Sequence, residues 1–203
     1  RIGLSATVGS PEIVAAFLGS NVKTIRAEAT KEYNIRVEAP QPGAKDTAIA
    51  DDLLIGVNTT ARLRHLHELI KNHSSVLVFT NTRETAEVIS SRLHRLDKEL
   101  KQTVHHGSLS KERRIKSEQK FKAQELKSLI ATSSLELGID IGSIDLVVQY
   151  LSPRQVSRLI QRVGRSGHGV GRISKGIIIS GDEDVFESTV IANLATNKKL
   201  EQV

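Results

Sequence analysis

Short apolar runs alternate with amphipathic stretches over most of this chain. The runs cover residues 76–79, 103–105, 128–131, 144–149 and 175–180. Amphipathic stretches follow them at 82–96 and 110–122, and two more begin at residues 152 and 182. Strands that alternate with helices of this length are typical of a parallel sheet that is covered by helices on both faces. The pattern therefore predicts an α/β fold.

The first part of the chain follows a different pattern. Residues 22–27 and 33–39 alternate between apolar and polar, which predicts a half-exposed pair of strands. The Pro-Gln-Pro-Gly segment at 40–43 breaks the pattern and is the best candidate for a linker. Residues 46–72 are expected to form a helix in two parts, with one apolar side that carries Leu63, Leu66 and Ile70.

Two histidines of this helical region are not candidates for a metal site. His65 and His67 project about 200° apart on a helix, so they cannot share one ion. We expect both to be surface residues.

The helix that begins near residue 152 has the strongest local signals. Ser152 suits the N-cap, Pro153 suits the first helical position, and Gln155 completes a capping box. Apolar residues recur at i, i+3, i+4 and i+7, which defines a buried stripe. The stripe consists of Val156, Leu159, Ile160 and Val163.

Four arginines are expected on the other face of that helix. At 100° per residue this face is exposed, and guanidinium groups bind oxyanions in a fork. A solvated charged face is the alternative interpretation. Several glycines crowd the helix end and leave the neighbouring basic residues in an open loop, which favours phosphate binding. The polar face consists of Arg154, Arg158, Gln161, Arg162 and Arg165.

Polar loops follow three of the predicted strands. Because the carboxyl ends of parallel strands meet at one edge, these loops predict a track for phosphates. Each loop is also open to a purely structural interpretation, such as a capping pair between Asn81 and Glu84. The candidate contacts are Thr80, Asn81 and Arg83 in the first loop, His106, Gly107 and then Arg114 in the second, and Thr132 and Ser133 in the third.

Composition narrows the functional classes. A net charge of +6 and a pI near 9.7 favour a polyanionic partner such as nucleic acid. The chain has no cysteine, which excludes disulfides and thiolate metal sites and is compatible with an intracellular compartment. It has neither a glycine loop that ends in Lys-Ser/Thr nor a carboxylate pair for Mg²⁺. Asp182, Glu183 and Asp184 stand at a predicted helix start and are interpreted as capping residues.

Two stretches carry a resemblance to a known family. Residues 132–140, TSSLELGID, resemble motif V of superfamily 2 helicases, and residues 161–167, QRVGRSG, resemble their motif VI. His168 stands where most relatives have Arg, which resembles the large-helicase-related (Lhr) family in particular. Residues 79–83 are similar to motif IV, and Ser5, Ala6 and Thr7 are similar to motif III.

The resemblance implies a fold and a division of the chain. The fold would be RecA-like, the C-terminal motor domain of a helicase, in the same class as P-loop NTPases. Residues 1–19 would be the tail of a first motor domain, 20–45 the strand pair and linker, and 46–203 the second motor domain with motifs IV to VI. The chain would then be a fragment of a longer intracellular protein that binds single-stranded or partly duplex nucleic acid, expected to be DNA.

The same resemblance implies the roles of the site residues. ATP would lie between the two domains, with its Mg²⁺ ligands on the first. Gly138 and Asp140 would approach the nucleotide, Gln161 and Arg165 would meet the γ-phosphate, and Arg165 would act as the arginine finger. His168 and Arg162 are the further catalytic candidates. Two alternatives stay open: a non-hydrolytic RecA-like module that binds nucleic acid or protein, and a Ski-type or DEAD-box RNA helicase.

Overall fold

A six-stranded, fully parallel sheet forms the centre of the computed structural model, which describes residues 2–4, 8–25, 31–136, 141–167 and 173–201. The spatial order of the strands is β1-β6-β5-β2-β4-β3. Every strand pair is parallel, so all strands end at the same edge. The strands are β1 Tyr33–Glu38, β2 Val76–Phe79, β3 Gln102–His105, β4 Ser128–Ala131, β5 Leu146–Tyr150 and β6 Ser174–Ile179.

Helices cover both faces of the sheet, as the sequence predicts. One core cluster packs α5, α6 and α7 against the sheet through residues such as Phe121, Leu159 and Ile191. The second packs α2, α3 and α4 against the opposite face through Leu53, Leu66 and Leu93. The described helices are α1 Pro11–Leu18, α2 Asp46–Leu53, α3 Val57–Asn72, α4 Arg83–Leu96, α5 Lys111–Lys122, α6 Val156–Val163 and α7 Val185–Thr196, with a 3₁₀ turn at Ser133–Leu135.

The predicted pair of strands at 22–27 and 33–39 is wrong. Residues 22–25 form no strand, and residues 26 and 27 lie outside the described residues. Strand β1 instead pairs in parallel with β6, from Tyr33 opposite Ser174 to Glu38 opposite Ile179. Its alternating pattern is that of an edge strand with one half-exposed face, which short-range periodicity cannot distinguish from a local hairpin.

The predicted start of α6 is also wrong. The helix begins at Val156, Gln155 occupies the N-cap position, and Arg154 adopts a positive φ of 67°. The hydroxyl of Ser152 accepts the Arg154 N–H instead of capping the helix. The carboxylate of Glu201, far along the chain, accepts the N–H groups of Val156 and Ser157. A long-range cap therefore replaces the local one.

Other boundaries agree closely with the predictions. The helical region 46–72 is divided into α2 and α3, and Leu63, Leu66 and Ile70 are buried. Strands β5 and β6 lie within two residues of the predicted runs, and α7 begins three residues later than expected. Asp184 precedes α7, where its carboxylate accepts the N–H groups of Gly181 and Ser152.

The two histidines of α3 are less exposed than predicted. His65 lies 2.5 Å from a Glu38 carboxylate oxygen, and His67 lies 2.8 Å from one of Asp97. They contact different elements, which agrees with their predicted divergence. In the described part of the chain, no helix is long and apolar enough to cross a membrane.

Candidate nucleotide and nucleic-acid interface

The three predicted loops share one edge of the sheet. In the strand register, Phe79 of β2 lies opposite Ala131 of β4 and Gln149 of β5, and Ala131 lies opposite His105 of β3. The loops that follow these strands therefore start side by side. This arrangement places the candidate phosphate-binding residues together, as expected for the carboxyl edge of a parallel sheet.

The loop after β2 is stabilised by its own polar groups. The buried Thr80 hydroxyl donates to the Thr82 carbonyl at 2.9 Å. Thr82, rather than Asn81, caps α4 by accepting the Thr85 N–H. Arg83 is exposed, and its guanidinium bonds Glu84 at 2.6 Å and the Ser108 hydroxyl at 3.0 Å. The last contact joins this loop to the loop after β3.

The loop after β3 and the helix that follows it each contain a buried polar atom without a hydrogen-bond partner. His106 is buried, and its Nε2 lies 2.7 Å from Glu87, whereas its Nδ1 is unpartnered. The Nε of Arg114 on α5 is likewise buried without a partner. Gly107 stands between them with open space around its Cα. The Nε–H of Arg114 is an unsatisfied donor, and a phosphate oxygen can accept a hydrogen bond from it.

The loop after β4 includes a contact that the sequence did not predict. Thr132 is half-buried and Ser133 is exposed, while Ser134 bonds both the carbonyl and the imidazole Nδ1 of His105. The Nε2 of His105 lies 2.7 Å from Glu118 of α5. No local signal marks this group because its three members come from separate elements.

Arg162 differs most from its predicted position. We expected it on an exposed face, but only 1% of its surface is accessible. Its guanidinium bonds the Glu136 carboxylate through Nε at 2.8 Å and through Nη2 at 2.6 Å. Its Nη1 donates to Gln149 at 2.5 Å and to Asn81 at 3.2 Å, and its Cζ lies over the Phe79 ring, 5.2 Å from the ring centre. Burial lowers the pKa of Arg162, and the charge of Glu136 opposes that shift.

The reason for this burial lies in the helical wheel. Arg162 stands only one residue before Val163 of the apolar stripe, at the border between the two faces of α6. Its long side chain reaches past the border to polar partners on three other segments. Periodicity alone assigns such a position to the surface because it does not include those partners.

Arg165, just after α6, is half-buried beside a second cation. Its Nη2 donates to the Glu136 backbone carbonyl at 2.5 Å, and burial lowers its pKa. Lys31 donates to the neighbouring Gly164 carbonyl at 2.6 Å. The pKa of Lys31 is lowered first by burial and then by the charge of Arg165. Two half-buried cations that repel each other form a place where an anion is stabilised.

The sequence reasoning missed Lys31. Its only signal is a lysine in the segment before β1, which resembles any surface lysine. Gln161, the other predicted residue of this region, is half-buried on α6. The remaining predicted site residues, Gly138, Asp140 and His168, lie outside the described residues, as do Ser5, Ala6 and Thr7. Among the residues that are described, no three His, Asp or Glu side chains are grouped to hold a metal.

Comparison with known proteins identifies the family. The family model described as helicase conserved C-terminal domain matches residues 61–169, more than half of the chain. The ATP-dependent helicase Lhr-Core of Sulfolobus acidocaldarius is 42% identical over all of this chain, which spans 24% of that protein. The Lhr helicase/uracil glycosylase of Escherichia coli is 35% identical over the whole chain and 16% of its own length. The chain thus spans about a quarter of the length of the Lhr-Core relative and a smaller share of the Escherichia coli protein.

Solved structures agree with this result. Mycobacterium smegmatis helicase Lhr, whose structure contains single-stranded DNA and AMP-PNP, superimposes on the whole chain with a TM-score of 0.86 and 35% identity, over 27% of that protein. The C-terminal domain of the DEAD-box protein Dbp5 matches 85% of this chain and 88% of its own with a TM-score of 0.56. At 24% identity the second match shows the fold alone. The chain belongs to the helicase C-terminal domain family and is the second RecA-like domain of an Lhr-type helicase of superfamily 2.

Proposed function

We propose that this chain is the second motor domain of an ATP-dependent helicase, in which it binds the nucleic-acid backbone and supplies Arg165 to ATP held between two domains. The pair of half-buried cations, Arg165 and Lys31, is the observation that carries the ATP half of the proposal. The relatives support the proposal in two ways. The Lhr-Core relatives are named ATP-dependent helicases, and the Mycobacterium smegmatis Lhr structure contains AMP-PNP and single-stranded DNA.

The residues around Arg165 suit the phosphates of a nucleoside triphosphate. A guanidinium has five N–H donors and stays charged at every working pH, so Arg165 can donate to phosphate oxygens while it keeps its bond to Glu136. Bound ATP supplies the phosphoryl group whose transfer drives translocation. Arg165 would neutralise charge that develops on that group, and Gln161 would donate or accept a hydrogen bond beside it. Gly138, Asp140 and His168 remain candidate nucleotide contacts, and the Mg²⁺ ligands belong to the first motor domain.

We assign Arg162 a different role from Arg165. Because Arg162 is buried in bonds to Glu136, Gln149 and Asn81, it would act as a positioning residue and not as a direct ligand of ATP. Arg162 holds the Glu136 carboxylate, and the Glu136 carbonyl holds Arg165. Asn81 belongs to the loop proposed to contact nucleic acid. This series of bonds therefore joins the two proposed sites.

The nucleic-acid half of the proposal concerns the shared edge of the sheet. Exposed or half-exposed polar groups there, together with the unpartnered Nε–H of Arg114, can donate to phosphate oxygens. Contacts to phosphate carry no sequence information, so binding would be independent of base sequence. We expect DNA as the substrate. The proposed contacts are Asn81, Arg83, His106, Gly107, Arg114, Thr132 and Ser133, with Thr80 supporting the first loop from within.

The decisive experiment is the substitution Arg165→Ala in the full-length protein. Loss of a charged donor to the developing phosphate charge is expected to lower kcat at least ~10²-fold. Binding of single-stranded DNA without nucleotide should be largely unchanged. Arg154→Ala is the matched control, because Arg154 belongs to the same segment but is exposed and paired with Glu187. Near-normal turnover of the Arg165→Ala protein would contradict the assignment.

His168 provides a second measurement at the same site. A neutral imidazole donates one hydrogen bond where a guanidinium forms a charged fork, so His168→Ala should reduce kcat less than Arg165→Ala. His168→Arg should be tolerated and should flatten any rise in kcat between pH 8 and pH 6, the range about the ordinary pKa of ~6.5 of a histidine. The measurement is kcat against pH with saturating nucleic acid. If His168→Ala abolished turnover while Arg165→Ala did not, His168 and not Arg165 would be the group that stabilises the phosphoryl charge.

A further inference from the structure

A groove on the outer side of β3 lies apart from the proposed ATP site. Strand β3 is at the edge of the sheet and, among the strands that the structure describes, pairs only with β4. The carbonyls of Lys101 and His105 point to the β4 side, where they accept the N–H groups of Ser128 and Thr132. Because backbone groups alternate in direction along a strand, the N–H and C=O groups of Gln102 and Val104 point outward. They offer the pairing positions for one more strand.

Three cations of α5 border this groove. Arg113, Lys116 and Lys120 recur at i, i+3 and i+7, so they lie on one face of the helix, and all three are exposed. Within the described part of the chain, none of them forms an ion pair or a side-chain hydrogen bond. Arg114, which we assign to the nucleic-acid edge, projects about 100° away from Arg113 on the same helix.

The groove has the size and the chemistry of a peptide site. Its volume is about 430 Å³, and its floor includes the apolar side chains of Leu109 and Leu126. No carboxylate is among its lining residues. It therefore combines open backbone pairing groups, a small apolar surface and a row of uncompensated positive charges.

We propose that this groove binds an extended acidic segment of a partner protein, which adds to β3 as a seventh strand. At 1.5 Å per residue, Lys116 and Lys120 are about 6 Å apart along α5. Alternate side chains of an extended strand are about 6.6 Å apart and point to the same face. A peptide with acidic residues at every second position would thus place one carboxylate near each cation, while its backbone bonds Gln102 and Val104.

A strand with acidic side chains fits the groove better than nucleic acid does. A nucleic-acid backbone requires cations but makes no use of the alternating outward N–H and C=O groups or of the apolar floor. Cations beside an open strand also disfavour pairing with a basic strand, and they would repel the same row of cations beside β3 of a second copy. The same residues would therefore select acidic strands and disfavour self-association.

The test uses the 203-residue chain and a fluorescent peptide of about seven residues in which Glu alternates with Val or Thr, a length that matches the strand. We expect saturable binding, weakened about tenfold or more by Lys116→Glu combined with Lys120→Glu, since two ion pairs are lost and two repulsions are gained. The matched control is Lys111→Glu combined with Lys45→Glu. It changes the net charge equally at exposed positions outside the groove and should bind like the wild type.

A second measurement distinguishes strand addition from simple charge attraction. Two methylated peptides are compared, one with methyl groups on the odd-numbered backbone nitrogens and one with them on the even-numbered nitrogens. Only one set of N–H groups faces β3, so one of these peptides should lose binding and the other should bind like the parent peptide. The amides of Gln102 and Val104 should gain protection from hydrogen exchange when the parent peptide binds. Both results would support the proposal.

Three results would overturn it. One is equal binding of the two methylated peptides. Another is competition by single-stranded oligonucleotide that depends on Lys116 and Lys120, which would make the groove a polyanion site. The third is concentration-dependent dimerisation of the free chain that the paired lysine substitutions abolish.

Discussion

Glu136 receives bonds from two arginines through different atoms. Its carboxylate is bound by Arg162 and its carbonyl by Arg165. Residues 137–140, predicted to include nucleotide contacts, begin immediately after it. A displacement of Glu136 would therefore alter both arginine positions. We infer that this residue, which lies in the stretch that resembles motif V but is not one of the predicted nucleotide contacts, is a structural centre of the proposed site.

Removal of the Arg162 charge is expected to destabilise the domain strongly. In Arg162→Gln the Glu136 carboxylate, 13% exposed, loses its closest ionic partner and keeps only Arg158, whose Nε lies 3.9 Å away. Breaking a buried pair in this way costs about 3–5 kcal/mol. Arg154→Gln is the control, because the exposed pair with Glu187 is worth about 0–1 kcal/mol. Urea denaturation of both variants measures the difference, and equal stabilities would contradict the assigned role of Arg162.

Asp46 is expected to make the free energy of unfolding depend on pH. Its buried carboxylate accepts two bonds from Arg64, at 2.9 and 3.2 Å, and one from the Gly43 N–H. The hydrogen bonds from Arg64, more than any other contact, lower the pKa of Asp46. The folded protein then binds the proton less readily than the unfolded chain. The stabilisation is present above the ordinary aspartate pKa of ~3.9 and is lost as the pH falls below it.

We therefore expect Asp46→Asn to be less stable than the wild type at pH 7, with a difference that narrows below about pH 4. Denaturant titrations at several pH values measure it. Asp51→Asn is the control, since Asp51 is exposed on the same helix. A difference that stays constant from pH 7 to pH 3 would show that the Asp46 charge does not contribute.

At the scale of single elements, the sequence predicts those whose determinants are local. The apolar runs locate β2 and β4 correctly, and Thr82 and Ser110 cap α4 and α5 where a helix start was expected. The misplaced start of α6 has a distant cause, the carboxylate of Glu201. Likewise β1 joins the sheet through β6, a strand far along the chain. Local patterns contain no information on partners that only the fold brings near.

The site follows the same division. Motif resemblance and the shared edge predict which loops come together, and the strand register confirms that they do. The burial of Arg162 and the proximity of Lys31 to Arg165 depend on side chains that meet across the fold. Neither has a signature in spacing or composition.

Helix α6 packs so closely on β6 that a larger residue at position 176 is expected to lower the stability of the domain. A Cβ at Gly176 would lie 2.6 Å from Val163 Cγ2, so Gly176→Ala forces the helix that carries Arg162 away from the sheet. Overpacking of this kind costs about 1–3 kcal/mol. Combining Gly176→Ala with Val163→Ala restores space, and the double variant should lose less stability than the sum of the single variants. Unfolding free energies of the four proteins in this cycle test the prediction, and strict additivity would contradict it.

At the scale of the whole molecule, we expect the isolated chain to bind nucleic acid weakly and to hydrolyse no ATP. It has neither a phosphate loop nor an Mg²⁺ carboxylate pair, and the proposed contacts are to phosphate. Affinity for single strands should fall with salt, with a slope of about −0.7 per neutralised phosphate in a double-logarithmic plot. Arg114→Ala should reduce binding to all sequences alike. Strongly sequence-specific or salt-independent binding would contradict this view.

The position of β1 in the sheet has a consequence for synthesis on the ribosome. Among the described strands β1 pairs only with β6, which is translated about 140 residues after it. At typical elongation rates of ~5–20 residues per second, the nascent β1 waits roughly 7–28 s without a partner. Its polar positions, Asn34, Arg36 and Glu38, keep this segment soluble during the delay. The same spacing makes closure of β1 onto β6 a long-range event, so the edge of the sheet that it forms is expected to be the last part of the domain to fold.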